Sequence, residues 1–160
     1  AFRRDGGTVT AASSSSISDG AAAVVLAGAD TAAARGIEPL ARIVGHSGFA
    51  HEPAWFTTAP VFAIKALQDR LGWTADDVDL YEINEAFAVV AMAAMHDLGL
   101  DHAKVNVNGG ACALGHPIGA TGARIIATLV HALRSRGLTR GIASLCIGGG
   151  EATAIAVEAL

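Results

Sequence analysis

Residues 115–136 read GHPIGATGARIIATLVHALRSR. From residue 117 onward, apolar side chains recur at helical spacing while polar side chains occupy the opposite stripe. The apolar stripe consists of Ile118, Ile125, Leu129 and Leu133, and the polar one of Arg124, Thr128, His131 and Ser135. We therefore predict an amphipathic helix over 117–136, with Pro117 suited to its first turn and its apolar stripe packed on a core.

Strand and helix patterns alternate on both sides of this helix. Toward the C-terminus, 140–147 and 153–157 are typical of strands, and three consecutive glycines separate them. Toward the N-terminus we predict strands over 22–26, 41–44 and 78–83, and helices over 32–36, 60–71 and 85–98. No fixed repeat or Pro-rich hinge divides the chain. We therefore expect residues 1–160 to form one α/β domain with a mixed sheet covered by helices.

The composition favours a densely packed globular protein. The 160 residues are 52% hydrophobic, yet no uninterrupted apolar stretch approaches the roughly 20 residues that span a bilayer, so no membrane partner is expected. Net charge is −4, with 11 basic and 15 acidic side chains mixed along the chain, which leaves no basic face for a nucleic acid. The chain starts at Ala1 without a secretory pattern, and we expect a processed or truncated product.

The two cysteines, Cys112 and Cys146, are 34 residues apart and neither has a CxxC companion. This spacing argues against a zinc ribbon and against a disulfide framework. We therefore expect no metal site, and a reducing, cytoplasmic environment.

Three segments combine reactive side chains with positions where a ligand can approach. The first is Asn84-Glu85-Ala86-Phe87, where a predicted strand ends and a hydrophobic helix begins. Polar groups at such a junction are well placed to face a ligand. The alternative is that Asn84 only caps the helix, since asparagine is a preferred cap.

The second segment, 106–122, contains five glycines within 14 residues, which indicates a binding loop. A phosphate loop is excluded, because Gly115 is followed by His116 and Pro117 instead of Lys and Ser or Thr. The proline biases His116 away from helical backbone, so its imidazole lies in the loop. There it can donate to an oxyanion or accept a thiol proton, or it can merely hydrogen-bond the loop.

The third segment is Cys146 followed by Ile147 and the glycines 148–150. A lone buried cysteine is often an inert small hydrophobe. The glycines favour an acid/base role instead, because they remove bulk and free backbone N–H groups to point at a carbonyl oxygen. Cys112, between two alanines, is predicted only to pack.

Together these segments resemble the thiolase family, in the family's order and at its approximate spacing. The stretches 5–10 and 19–23 also resemble the lead-in to the second half of a thiolase. The resemblance implies two similar βαβαβαββ halves with the active site at their junction, and coenzyme A thioesters as substrates. This chain would be the second half, with the N-terminal half as its partner, in a homodimer or tetramer.

The resemblance also implies roles for individual residues. A nucleophilic cysteine of the first half is acylated, His116 activates that thiol and binds a thioester oxyanion, and Asn84 holds a water in the same oxyanion hole. Cys146 shuttles a proton, and the Gly148 N–H contributes to a second oxyanion hole. Ser15 and Phe87 lie along the pantetheine arm of coenzyme A. No metal or redox cofactor is implied, and the activity is that of a short-chain acetyl-CoA C-acetyltransferase of fatty acid metabolism.

Departures from the family pattern are the serine run 13–16, the pair Glu151-Ala152 after the glycines, and the absent first half with its nucleophile. Because neither cysteine of this chain replaces that nucleophile, we expect the isolated chain to be inactive. Two alternatives stay open. One is a ketoacyl-synthase-like condensing enzyme, which Cys146 disfavours, and the other is a non-catalytic module for coenzyme A binding or assembly.

Overall fold

The computed structural model describes residues 6–160; Asp5, which opens the resemblance, lies outside the described residues. The helices are α1 (Ala29–Ala34), α2 (Ala59–Leu71), α3 (Ala88–Leu98), α4 (Ala111–Leu114) and α5 (Ile118–Arg136). The strands are β1 (Ala41–Ala50), β2 (Leu80–Ile83), β3 (Arg140–Ile147) and β4 (Glu151–Ala159). Short 3₁₀ turns lie at Ala11–Ser13, Pro53–Thr58 and His102–Lys104.

The four strands form one mixed sheet in the order β1-β4-β3-β2. β4 pairs antiparallel with β1 and with β3, whereas β2 pairs parallel with β3. In the parallel pair Ile83 lies opposite Ser144, so β2 and β3 end at the same edge of the sheet. Asn84 and Cys146 both lie at that edge.

Helices cover both faces of the sheet, which confirms the predicted α/β class. On one face α2 and α3 bury Ile64, Leu67 and Val90 against Tyr81 and Ile142. On the other face the apolar stripe of α5 is buried against the sheet through Ile125, Leu129 and Leu133. Leu129 is fully buried, and truncating such a side chain to alanine costs about 2–5 kcal/mol.

The predicted helices are confirmed to within a few residues at their ends. Gly72 and Gly137 terminate α2 and α5 in the left-handed conformation, at φ of 67° and 66°. The predicted helix 85–98 begins three residues later, at Ala88. The predicted strands 41–44 and 153–157 extend to the ten residues of β1 and the nine of β4.

The predicted strand over 22–26 was wrong. These residues form no regular element, and Val25 is 98% exposed. The run is apolar enough for a buried strand, but no strand within residues 6–160 pairs with it.

None of the helices within residues 6–160 has both the length and the apolar character needed to cross a bilayer.

Candidate active site

Asn84 lies directly after β2, at the edge where the parallel strands end. Its backbone N–H donates to the Ser144 carbonyl of β3 at 3.0 Å, and its side chain is 2% exposed. The capping hypothesis for Asn84 is wrong, because α3 begins at Ala88 and Phe87 precedes it. The carboxamide is therefore free of a helix-capping role.

His116 is the neighbour of that carboxamide. Asn84 Nδ2 lies 3.4 Å from His116 Nε2, at the long end of the hydrogen-bond range. On the other side of the ring, Nδ1 lies 2.7 Å from Thr121 Oγ1, in the first turn of α5. The structure thus brings two of the predicted catalytic residues together and adds Thr121, which the sequence did not indicate.

The hydrogen bonds around the ring favour one tautomer of His116. The Thr121 hydroxyl donates its one proton to the Pro117 carbonyl at 3.0 Å, so its oxygen is left to accept from the ring. Nδ1 therefore carries the proton, and Nε2 presents a lone pair to Asn84. An imidazole in this state is a base at Nε2.

Burial, and secondarily the positive charge of Arg124, lower the pKa of His116 below its usual 6.5. At neutral pH the ring is uncharged, as a base that accepts a thiol proton must be.

The backbone around His116 is held by the segment 16–20. The His116 N–H donates to the Ser16 carbonyl at 2.9 Å. Gly115, at φ +91°, has no room for a side chain, since a Cβ there would lie 2.3 Å from Ser18 Oγ. This close approach explains why the loop needs glycine before the histidine.

Cys146 lies near the end of β3, two residues beyond Ser144, and is 8% exposed. Burial raises the pKa of its thiol, so the sulfur is protonated at neutral pH. The side chain belongs to the core on the α2 and α3 face, and among residues 6–160 no hydrogen bond joins it to Asn84 or His116. The predicted third residue therefore lies at the same sheet edge as Asn84 without being hydrogen-bonded to Asn84 or His116.

Gly148, in the turn after β3, is exposed, and nothing lies within 4 Å of the position a Cβ would take. Its surroundings are open enough for a ligand to approach the main chain.

Ser15 and Phe87 lie beside each other. Both the N–H and the Oγ of Ser15 donate to the Ala86 carbonyl, at 3.2 and 3.0 Å, and Ser14 forms a β-bridge with Phe87. The Phe87 ring meets Phe56 edge to face, with centroids 6.3 Å apart. The segment 14–16 thereby connects Phe87 with the loop of His116.

Arg124, which the sequence placed on the polar stripe of α5, reaches inward to Glu82 of β2, with Nη1 3.6 Å from Oε2. Burial raises the pKa of Glu82 to about 7, and the charge of Arg124 acts in the opposite sense. The strand pattern gave no sign of this ion pair, because Glu82 lies between apolar neighbours in a fully buried strand.

Two family models match parts of this chain. Residues 37–159 match a model described as "Thiolase, C-terminal domain". Residues 1–30, which the sequence prediction placed in the same domain as the rest, match "Thiolase, N-terminal domain". Residues 31–36, shortly before β1, separate the two matches.

Curated relatives and solved structures agree with these models. The chain is 52% identical over 158 residues to the cytosolic acetyl-CoA acetyltransferase of Mus musculus, and 50% identical to the acetyl-CoA acetyltransferase of Chromobacterium violaceum. The alignments cover 98% and 99% of this chain but 40% of either relative.

Among solved structures, the acetyl-CoA acetyltransferase of Bacillus anthracis superposes with a TM-score of 0.96 at 49% identity. The Acat5 thiolase of Ascaris suum in complex with coenzyme A gives 0.91 at 42% identity. All of this chain is covered in both cases, against 40% and 42% of those chains. The chain spans about 40% of the length of the relatives it matches.

Proposed function

We propose, from the premise that this chain belongs to the thiolase family, that it is the C-terminal part of an acetyl-CoA C-acetyltransferase. The reaction joins two acetyl-CoA molecules in a Claisen condensation, or cleaves acetoacetyl-CoA with coenzyme A in reverse. The observation that carries the proposal is the contact between Asn84 Nδ2 and His116 Nε2 at 3.4 Å. A base beside an amide donor suits acyl transfer through a thiol.

His116 performs two steps in this proposal. Its Nε2 lone pair accepts the proton of a nucleophilic cysteine supplied by the N-terminal half, and the resulting thiolate attacks the thioester carbonyl. The imidazolium then carries a proton on Nε2 and donates it as a hydrogen bond to the thioester oxyanion. Thr121 keeps the other nitrogen protonated throughout, because its oxygen has only an acceptor position left.

Asn84 completes the same oxyanion hole. Its Oδ1 is buried and has no hydrogen-bond partner among residues 6–160. A buried acceptor of this kind costs about 1–3 kcal/mol unless it is satisfied, which supports its assignment as the group that holds a water near the oxyanion.

Cys146, Gly148, Ser15 and Phe87 complete the site. The protonated thiol of Cys146 gives its proton to the leaving thiolate of coenzyme A, and in its ionised form it takes one from the acyl α-carbon. The Gly148 N–H binds the second oxyanion. Ser15 and Phe87 line the path of the pantetheine arm, supported by their position next to Asn84-Glu85-Ala86.

The N-terminal half is the proposed partner. Side chains of Ile17, Val25 and Ile118 are 89%, 98% and 71% exposed, which is unusual for large apolar residues and suits a surface covered by another unit. Assembly into dimers or tetramers, a cytoplasmic location and catalysis without a metal or redox cofactor belong to the same proposal.

The test combines this chain with an N-terminal thiolase half and measures cleavage of acetoacetyl-CoA by coenzyme A. We expect turnover that His116→Ala reduces by about 10²–10³-fold, the usual cost of losing an oxyanion-hole donor. Binding of coenzyme A without turnover would contradict the enzyme and support a non-catalytic module.

A further inference from the structure

Two side chains outside this catalytic set, Glu85 and Asn106, connect the segments that carry Asn84 and His116. Asn106 is the one non-glycine residue within 6–160 with a positive φ, at +49°. Its N–H donates to the Tyr81 carbonyl at 2.9 Å, which sets it against the free edge of β2. Asparagine tolerates this left-handed backbone better than most residues, but the conformation still requires fixed contacts to hold it.

The carboxamide of Asn106 binds both neighbours of Asn84. Its Oδ1 accepts from the Ile83 N–H at 2.8 Å, and its Nδ2 donates to the Ile83 carbonyl at 2.9 Å. The same Nδ2 donates to Glu85 Oε1, also at 2.9 Å. Asn84 therefore lies between two residues held by one side chain, and it cannot shift without straining these bonds.

The carboxylate of Glu85 extends the connection to the histidine loop. Its second oxygen, Oε2, accepts from the Cys112 N–H at 3.0 Å, four residues before His116. Gly110 crosses so close to the carboxylate that a Cβ there would lie 2.0 Å from its carbon. One side chain thus anchors the strand end and the loop together.

We propose that Glu85 and Asn106 form a clamp that sets the spacing between Asn84 and His116, and that both are positioning residues for acyl transfer. The inference rests on the proposed function of that pair. The clamp is built from complementary groups, since a carboxylate accepts at both oxygens while the asparagine amide supplies the donor. Exchanging the acid for its amide in Glu85 alone, or the amide for its acid in Asn106 alone, leaves two donors or two acceptors facing each other.

Asn106→Asp, in the chain assembled with its N-terminal half, tests the clamp. The substitution turns a carboxylate oxygen toward Glu85 Oε1 and the Ile83 carbonyl, which repel it. We expect kcat for acetoacetyl-CoA cleavage to fall about 10- to 100-fold, because a misplacement of about 1 Å costs up to about 10²-fold. KM for coenzyme A should stay within about twofold, since the Asn106 side chain bonds Ile83 and Glu85 and not Ser15 or Phe87, which we propose to line the substrate arm.

Adding Glu85→Gln to Asn106→Asp restores a donor and acceptor pair, because the glutamine amide donates to the new carboxylate and its oxygen accepts from Cys112. We expect the double variant to recover kcat at least about threefold over Asn106→Asp, a coupling typical of contacting residues. The matched control is Asn108→Asp in the same loop, where the side chain is exposed and meets Arg136 at 3.4 Å. It should leave kcat unchanged.

The clamp would be overturned if Asn106→Asp lowered kcat no more than Asn108→Asp does. It would also be overturned if the double variant lost kcat by the sum of the two single effects. A crystal structure of Asn106→Asp supplies a readout that does not depend on activity. The distance from Asn84 Nδ2 to His116 Nε2 should exceed 3.5 Å. An unchanged distance overturns the inference, whereas an inactive assembled wild type overturns the proposed function alone.

Discussion

The hydroxyl group of Thr121 influences which nitrogen of His116 carries a proton. Its hydroxyl proton is committed to the Pro117 carbonyl, so its oxygen selects the Nδ1-protonated form of His116. That choice leaves the basic nitrogen toward Asn84. A fully buried threonine at the start of an amphipathic helix is thereby part of the proton chemistry.

Thr121→Val is expected to reduce kcat about 10- to 100-fold with little change in KM. The valine keeps the shape but removes the acceptor, and a histidine that loses its orienting partner populates the wrong tautomer, which in a protease costs up to about 10⁴-fold. Steady-state kinetics of the assembled protein measure the effect. Thr128→Val, the same change on α5, is the control, and equal kcat values for the two variants would contradict this role.

Glu82 is expected to make stability depend on pH. Its folded pKa of about 7 lies above the ordinary 4.5, so the folded protein keeps a proton that the unfolded chain releases. The contribution of Glu82 to the free energy of unfolding is fully present below pH 4.5. It is lost as the pH rises through 7, and at about 1.4 kcal/mol per pKa unit this loss amounts to roughly 3 kcal/mol.

Urea unfolding of the wild type and of Glu82→Gln between pH 4 and 8 isolates this contribution. As the pH rises, the free energy of unfolding of the wild type should fall relative to that of Glu82→Gln. The difference isolates Glu82 because the other groups titrate alike in both proteins. A difference that stays constant with pH would show that Glu82 does not titrate in this range.

Among the elements, the turn between β3 and β4 contains one tightly packed glycine and one glycine with open surroundings. Gly150 has φ +104°, and a Cβ there would lie 2.2 Å from the His51 carbonyl oxygen. Gly148 has open space around it. Gly150 and Gly148 therefore serve different purposes, since Gly150 permits close backbone contact while Gly148 leaves its surroundings accessible.

Gly150→Ala is expected to lower the free energy of unfolding by at least about 2 kcal/mol, because it combines backbone overlap with a strained φ. Gly148→Ala should change it by less than about 1 kcal/mol. Thermal unfolding followed by circular dichroism compares the two variants. Equal destabilisation would contradict the difference in their surroundings.

Some of the helices and strands could be predicted from the sequence alone, and others could not. Periodicity located α2 and α5 to within a residue, because each has a clear apolar stripe and a terminating glycine. The predicted strand over 22–26 was wrong, because an apolar run indicates that a segment is suited to burial but does not show whether a neighbouring strand pairs with it. The clamp of Glu85 and Asn106 was not predicted because its bonds join residues 21 to 27 positions apart, and no local pattern encodes such a pairing.

For the whole molecule, the exposed apolar side chains around 17–26 and 118 indicate a surface completed by another unit. Val25 and Ile17 are almost fully exposed although neither offers polar atoms to water. Residues 1–30 also match the N-terminal family model, so this segment is the part of the chain expected to contact the N-terminal half.

Val25→Asp is expected to weaken assembly with the N-terminal half at least about tenfold, because burying a carboxylate without a partner costs several kcal/mol. Ala33→Asp, an equally acidic change at an exposed position of α1, is the control. Co-purification of the two halves at graded concentrations measures the affinity. Equal affinity for both variants would place the interface elsewhere.

The central claim is that Asn84, His116 and Cys146 act on one acyl group although a hydrogen bond joins only the first two. A crystal structure of the assembled protein with bound acetyl-CoA tests it most directly. The thioester oxygen should lie about 3 Å from His116 Nε2, and Cys146 Sγ should approach the acetyl methyl carbon within about 4 Å. A thioester bound away from His116, or separated from the Cys146 thiol by the sheet, would contradict the claim.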